Sequence, residues 1–103
     1  MSEVICINGS FSPDFVEFYA KNGVVTPKTD TLYNIRSVIR NVTGDIGFLL
    51  EELKNPTIEI NDAFGKRKLE PNWNHKRFAK LDGNEITQEE VRELLKSPSK
   101  LKV

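Results

Sequence analysis

The chain has 103 residues, which is the size of one domain. Apolar residues make up 38% of it and charged residues 29%, a balance typical of a folded globular domain and far from that of a disordered chain. Fifteen basic and fifteen acidic side chains cancel, so no whole-molecule field attracts nucleic acid or an anionic membrane. We expect a single domain over residues 1–98, followed by a frayed tail at 99–103.

The sequence also indicates in which cellular compartment the protein is expected. No apolar run approaches the roughly 20 residues that span a bilayer, and the first residues lack the basic start of a signal peptide. The single cysteine, Cys6, cannot form an internal disulfide, which favours a reducing environment. One cysteine and one histidine are too few for the common zinc sites. We therefore expect a cytoplasmic protein with no membrane partner and no cofactor.

A strand and a helix are predicted first. Residues 4–7 form a short apolar run of the kind that is covered on both faces of a sheet. The helix is predicted from Pro13 to about Asn22, with Ser12 as its N-cap, and Gly23 can end it in the left-handed conformation. An apolar stripe at helical spacing, which we expect to dock on the rest of the domain, consists of Phe15, Phe18 and Tyr19. If the stripe is left uncovered, it can form a homodimer surface.

A β-hairpin is predicted next. From Leu32 to Arg40 the sequence alternates with a period of two, which places Tyr33, Ile35 and Ile39 on one inward face. Residues 43–45 can turn, and residues 46–53 then return as the second strand. The Leu-Leu-Glu-Glu-Leu run within the return is also compatible with a helix. We prefer a strand because a glycine lies inside the run and a turn precedes it.

The outward face of this hairpin carries Arg36 and Arg40. We expect these two arginines to point to solvent or to pair with carboxylates on the neighbouring strand, where Glu51 or Asp45 is within reach, since cross-strand pairs of opposite charge stabilise a sheet.

The middle of the chain carries weaker signals. Residues 57–60 alternate briefly and suggest an edge strand, and residues 61–68 read as a polar loop built on Gly65. Short strands are predicted at 72–75 and 79–81, joined by a tight turn at 76–78, and Asp82-Gly83 is a further turn.

The last predicted element is a helix at about 88–96. Thr87 and Glu90 have the spacing of a capping box, in which each side chain accepts a hydrogen bond from the other residue's backbone N–H. Val91, Leu94 and Leu95 then line one face. Ser97-Pro98 ends the helix.

Three motifs of the chain resemble those of a set of small proteins encoded in bacteriophages and prophages. They are a Tyr-x-Ile-Arg strand at 32–39, a Gly-x-x-Leu-Glu-Glu strand at 47–53 and a closing aromatic-x-x-x-Arg-Phe segment within 70–78. The resemblance covers roughly residues 31–81, with Cys6 included more loosely. It implies a mainly β (α+β) fold built on a small SH3-like five-stranded barrel. The chain departs from that family in its predicted N-terminal helix insertion at about 13–22 and its C-terminal helix at about 88–96. The resemblance implies no activity, since that family has none established.

Catalytic residues are hard to find in this sequence. Cys6 lies inside an apolar strand, where a free cysteine is typically a small buried hydrophobe. His75 has two basic neighbours and no carboxylate within two residues to orient it. Glu51 and Glu52 are adjacent in a predicted strand and would therefore point to opposite faces. We expect a protein that is not an enzyme.

Basic residues interleaved with aromatics between 66 and 80 suggest one binding surface. Small barrels hold single-stranded nucleic acid by stacking bases over a positive groove. The neutral net charge argues against this use, and Trp73 also fits a core position. The candidate residues for binding nucleic acid or another partner are Lys66, Arg67, Lys68, Trp73, His75, Lys76, Arg77 and Lys80. Phe78 is a second aromatic residue of the same segment.

A protein partner is the competing interpretation. SH3-type surfaces hold extended peptides in aromatic-lined grooves, to which Phe11, Phe15, Tyr19 or Tyr33 can contribute. The segment at 57–60 can instead accept a strand from a partner. The sequence therefore favours a non-enzymatic, phage- or mobile-element-like interaction module with a protein partner. The alternative is single-stranded nucleic-acid binding through residues 66–80.

Overall fold

The computed structural model of the chain describes residues 3–41, 43–62 and 65–96. The elements in chain order are β1 (Glu3–Cys6), α1 (Pro13–Lys21), β2 (Leu32–Arg40), β3 (Ile46–Leu50), β4 (Ile58–Asp62), β5 (Gly65–Leu69), β6 (Trp73–Asn74), a 3₁₀ turn (His75–Arg77), β7 (Phe78–Ala79) and α2 (Gln88–Lys96). The expected mainly β protein with two helices is confirmed. The predicted tail at 99–103 lies outside the described residues.

Five of the strands form one antiparallel sheet in the order β6-β3-β2-β1-β7. The central strand β2 pairs through its first residues with β1 and through its later residues with β3, where Val38 lies opposite Phe48. The predicted β2–β3 hairpin is therefore confirmed, and Phe48 lies in a strand rather than in a helix. The strands β6 and β7 lie at the two edges of the sheet, and no pairing between them closes it within the described residues.

A β-bulge interrupts the alternation of β2. The β2–β3 register shifts by one residue at Arg36, which lies between two paired positions. Before the bulge, Tyr33 and Ile35 are buried as predicted. After it, Val38 packs against the core instead of Ile39. The prediction that Ile39 faces inward is wrong because it assumed an unbroken period of two across the extra residue.

The bulge also changes the partner of Arg36. Its Nη2 lies 2.6 Å from Oε2 of Glu70, and its Nε–H donates to the carbonyl of Leu50 at 3.2 Å. The prediction that Glu51 or Asp45 pairs with Arg36 is wrong, because Arg36 forms its ion pair with Glu70, the residue after β5. This ion pair ties the central strand to the segment that leads into β6.

The strand β3 ends at Leu50, before the two glutamates that were predicted to lie in it. Glu51 pairs with Lys54 at 3.5 Å, and Glu52 accepts hydrogen bonds at 2.8 Å from both the backbone and the side-chain amide of Asn34. Burial raises the pKa of Glu52, but the hydrogen bonds from Asn34 outweigh it and the net effect lowers that pKa. The two carboxylates thus hold different structural partners.

Residues 61–62 and 65–68 lie in strands, so the prediction of a polar loop is wrong for them. They belong to a hairpin in which β4 and β5 pair as a separate two-stranded sheet, with Ile58 opposite Leu69 and Ile60 opposite Arg67. Ile58 belongs to the core, and Ile60 packs against it. The hairpin is therefore joined to the domain through one apolar face.

Both helices begin as predicted. The hydroxyl of Ser12 accepts a hydrogen bond from the backbone of Phe15 at 3.4 Å. At α2, the N–H of Thr87 donates to Oε1 of Glu90 at 3.0 Å, and the N–H of Glu90 donates to the hydroxyl of Thr87 at 3.2 Å. The apolar face of α2 is buried through Val91 and Leu94. Among the described residues, no helix is long and apolar enough to cross a membrane.

Candidate functional site

A cleft of about 770 Å³ lies between α1 and the β4–β5 hairpin. Its helical wall carries the aromatic rings of Phe15, Phe18 and Tyr19. Its opposite wall is built by β4 together with Arg67 and Leu69 of β5. Pockets with apolar walls and a few convergent polar groups are the usual binding sites of proteins, which makes this cleft the candidate site.

The apolar stripe of α1 does not dock on the domain as expected. No residue of this helix is buried, and Phe15 and Phe18 are 55% and 40% exposed. Only Tyr19 reaches inward, with its ring centroid 5.5 Å from that of Trp73. Burial raises the pKa of the Tyr19 hydroxyl, an effect that the Arg77 cation opposes. The other two rings are left facing the cleft.

The segment that leads into α1 is held by contacts with Trp73 and Arg77. Phe11, just before the helix, packs edge-on against Trp73 with ring centroids 5.7 Å apart. The Arg77 guanidinium lies 3.9 Å from the centre of the Phe11 ring and donates to the carbonyls of Asn8 and Ser10 at 3.0 and 2.7 Å. This cation–π contact and the two hydrogen bonds hold the chain that leads into α1.

The opposite wall includes an edge strand of a β-sheet. Four consecutive residues of β4, from Ile58 to Asn61, line the cleft. Successive side chains of a strand point to opposite faces, so this wall draws on residues from both faces of β4. Within the described residues, β4 has one hydrogen-bonded neighbour, β5. Its other edge therefore keeps backbone donors and acceptors that no strand of the described chain pairs with.

The floor of the cleft is held by a pair of amides. The side chains of Asn41 and Asn72 exchange two hydrogen bonds of 3.0 Å. Both residues also line a second cavity of about 310 Å³, together with Arg67 and Leu69. The two cavities therefore adjoin and form one groove, and Arg40 lines its second cavity but not the cleft.

The bulge in β2 contributes to this groove. Because the register shifts at Arg36, Ile39 turns away from the core and lines the second cavity beside Leu49. The glutamate in the same cavity, Glu70, is already engaged by Arg36 and by the backbone N–H of Asn55 at 3.1 Å. Arg40 is exposed, and no hydrogen bond or ion pair of its side chain occurs within the described residues.

The aromatic members of the candidate surface at 66–80 lie in the core. Trp73 is 2% exposed and Phe78 is 1% exposed. His75 is buried as well, and its Nδ1 lies 3.1 Å from the carbonyl oxygen of Ile46. None of these rings presents a face on which a base can stack.

The basic members of that surface are divided among several places. Lys66 pairs with Glu59 at 3.8 Å, and Lys80 pairs with Glu90 at 3.2 Å. Arg77 is engaged at the start of α1, as described above. Lys68 on β5 and Lys76 in the 3₁₀ turn are exposed. Of the eight candidate residues, Arg67 alone lines the cleft.

Cys6 is fully buried on β1 opposite Phe78. Burial raises the pKa of its thiol, although a hydrogen bond from the backbone of Asn8 partly offsets this. A thiol with a raised pKa is a weak nucleophile at neutral pH.

Sequence reasoning missed several residues of the groove. The polar ones, Arg40, Asn41 and Asn72, carry no local signal because they come together only in the folded chain. Leu69 had a usable signal, since it lies opposite the apolar Ile58 in a hairpin that Gly65 helps to turn, and Ile60 continues the alternation of Ile58. Comparison with family models, with curated proteins and with solved structures finds no match to this chain.

Proposed function

We propose that the protein is a non-enzymatic interaction module that holds an extended segment of a partner protein in the cleft between α1 and β4. The observation that carries this proposal is that β4, a strand with one edge unpaired within the described residues, lines the same cleft as the exposed rings of Phe15 and Phe18. An edge strand supplies main-chain hydrogen bonds to an added strand, and an adjacent apolar wall supplies pockets for its side chains. Both parts of that recognition mode are present on opposite sides of one cleft.

The dimensions of the site set the size of the segment. The strand β4 has five residues, which span about 17 Å at about 3.4 Å per residue. The segment would run along this edge in extended form and point alternate side chains toward α1.

The architecture supports an SH3-like barrel as the framework of this module. It has five strands in one sheet, a long connection after β1 that contains α1, and a tight 3₁₀ turn before the last strand. We propose on this basis, and on the sequence resemblance, that the protein is of the phage- or mobile-element-like kind. The buried Cys6 and His75 support a role without catalysis.

The alternative, single-stranded nucleic-acid binding through residues 66–80, is less well supported. That mode needs aromatic faces on which bases stack, whereas Trp73 and Phe78 are buried. It also needs cations that are free to contact phosphates, whereas Lys80 and Arg77 are engaged within the chain.

A random peptide library tests the proposal without knowledge of the partner. Displayed dodecapeptides are selected on the immobilised full chain, and enriched peptides are then synthesised and titrated. The cleft variant is Phe18→Glu. The matched control is Val16→Glu, which places the same charge on an exposed residue of the same helix outside the cleft lining. We expect at least tenfold weaker binding by Phe18→Glu and unchanged binding by Val16→Glu.

Three outcomes would overturn the proposal. One is a library that shows no enrichment. Another is a set of enriched peptides that bind Phe18→Glu as well as the unmodified chain. The third is tight binding of a labelled single-stranded oligonucleotide at low salt that weakens steeply at high salt, since this dependence is typical of phosphate contacts.

A further inference from the structure

The two cavities of the groove differ in charge. Asp14 of α1 lines the cleft, where Glu59 is paired with Lys66 at 3.8 Å, whereas Arg40 lines the second cavity. Arg67 lies between, where both cavities meet, and it also interacts with another group of the chain. An occupant of the whole groove therefore passes from an apolar region into a positive one.

Arg40 is a cation of this groove that no other group of the described residues pairs with. Arg36, on the same strand, is neutralised by Glu70 at 2.6 Å, and Lys66 on the hairpin is neutralised by Glu59 at 3.8 Å. Arg40 is exposed, and its side chain has no hydrogen bond or ion pair in the part of the chain that the structure describes. An arginine can hold a carboxylate through two parallel N–H···O bonds.

Resting on the proposed function, we propose that the partner segment is acidic as well as apolar, and that Arg40 selects it by pairing with an aspartate or glutamate side chain. The apolar side chains of the segment lie against Phe15 and Phe18, and its carboxylate reaches the second cavity. Complementary charge at the rim of an interface sets specificity and the rate of association more than affinity. Arg40 is therefore a specificity residue, while the aromatic wall and the β4 edge supply most of the binding.

A charge swap tests this inference with the same library. Selection on the unmodified chain is expected to enrich peptides with Asp or Glu at a fixed distance from an apolar residue. Selection on Arg40→Glu is expected to enrich Lys or Arg at that distance instead. The control is Arg92→Glu, the same change at an exposed position of α2 outside the groove, which should select the same peptides as the unmodified chain.

Titrations of one enriched peptide then measure how much the ion pair between Arg40 and the peptide carboxylate contributes to affinity. We expect Arg40→Gln to weaken binding about three- to tenfold, and replacement of the peptide carboxylate by an amide to do the same. Both changes together should cost no more than either alone, since they remove one interaction. Amide exchange at residues 58–61 should slow on binding in all of these proteins.

The outcomes separate this inference from the proposed function. Enriched peptides that lose affinity for Phe18→Glu but show no acidic preference, or no response to Arg40→Glu, would overturn the inference and leave the cleft as a binding site. The absence of any enrichment would overturn both. A concentration-dependent dimer that Phe18→Glu abolishes would show that a second copy occupies the cleft, and it would also overturn both.

Discussion

The side chain of Asn72 occupies the space that a methyl group on Gly47 would need. An ideal Cβ atom at Gly47 would lie 1.8 Å from Oδ1 of Asn72 and 2.7 Å from its Cγ. Asn72 cannot simply move aside, because two hydrogen bonds of 3.0 Å join its amide to that of Asn41. The glycine therefore lets β3 approach the segment before β6 and lets the amide pair close the floor of the groove.

We expect Gly47→Ala to lower the free energy of unfolding by about 1–3 kcal/mol, as overpacking in a tight site commonly does. Asn72→Ala alone should cost about 1 kcal/mol through the lost hydrogen bonds. The loss in free energy of unfolding of the double variant should be smaller than the sum of the two single losses, because the atoms that clash are then absent. Denaturant titrations of the four proteins measure this, and simple additivity would contradict it.

The half-buried ion pair between Arg36 and Glu70 gives a second expectation. Arg36→Lys keeps the charge but loses the Nε–H that donates to Leu50, so we expect a loss of about 1–2 kcal/mol. Glu70→Gln should cost a similar amount, and the two losses should not add. The control is the more exposed pair of Glu51 and Lys54, where Lys54→Gln should change stability by less than about 0.5 kcal/mol. Equal losses at both pairs would contradict this expectation.

The elements that the sequence predicts well are those with local signals. Ser12 and Thr87 are caps that identify the helix starts without knowledge of the rest of the chain. The bulge at Arg36 has no such signal, because Val38 and Ile39 are both apolar and either can face the core. Which of them does so is decided by pairing with β3. A pattern within one strand cannot contain that information.

The capping box of α2 gives an expectation for pH dependence. The backbone N–H of Thr87, its hydroxyl and the Lys80 ammonium hold the pKa of Glu90 below its usual range. The charged carboxylate therefore stabilises the fold above its unfolded pKa of about 4.3, and that contribution is lost as the pH falls through the lower folded pKa. The stability difference between the unmodified chain and Glu90→Gln should narrow as the pH drops from about 5 to about 3.

Other carboxylates with lowered pKa values, such as Glu52, are present in both proteins and cancel in this comparison. Thr87→Ala serves as the companion variant, with an expected loss of about 1 kcal/mol at neutral pH. A stability difference that stays constant across the acid range would show that the charge of Glu90 does not contribute.

The buried Cys6 gives an expectation for reactivity. Because burial excludes reagents and raises the pKa of the thiol, modification requires opening of the fold. We expect a disulfide reagent to react with the native chain at least about a hundredfold more slowly than with the same chain in denaturant. Release of the reagent's chromophore measures both rates. Comparable rates would mean that β1 leaves the sheet far more readily than its pairing indicates.

The groove was harder to predict than the fold, for a physical reason. Its aromatic residues on α1 carry the same periodic signal whether the helix docks on the sheet or stands away from it. Its other wall depends on β5, a strand with three consecutive basic residues and a single large apolar one, Leu69. Such a strand is stabilised by pairing with β4 and by the contact of Ile58 with the core, which are tertiary effects.

The exposure of α1 has a consequence for how the groove responds to a ligand. The helix has no buried residue, so lifting it breaks the contacts of Tyr19 and Phe11 with Trp73 and strains those of Arg77 with the segment before α1. We expect the free energy of that local opening to lie below the free energy of global unfolding, which governs β2 and β3. The wall that α1 forms can therefore adjust to side chains of different size while the β4 edge stays fixed to the core through Ile58. Amide protons of α1 should accordingly exchange with solvent through this local motion, long before those at the centre of the sheet.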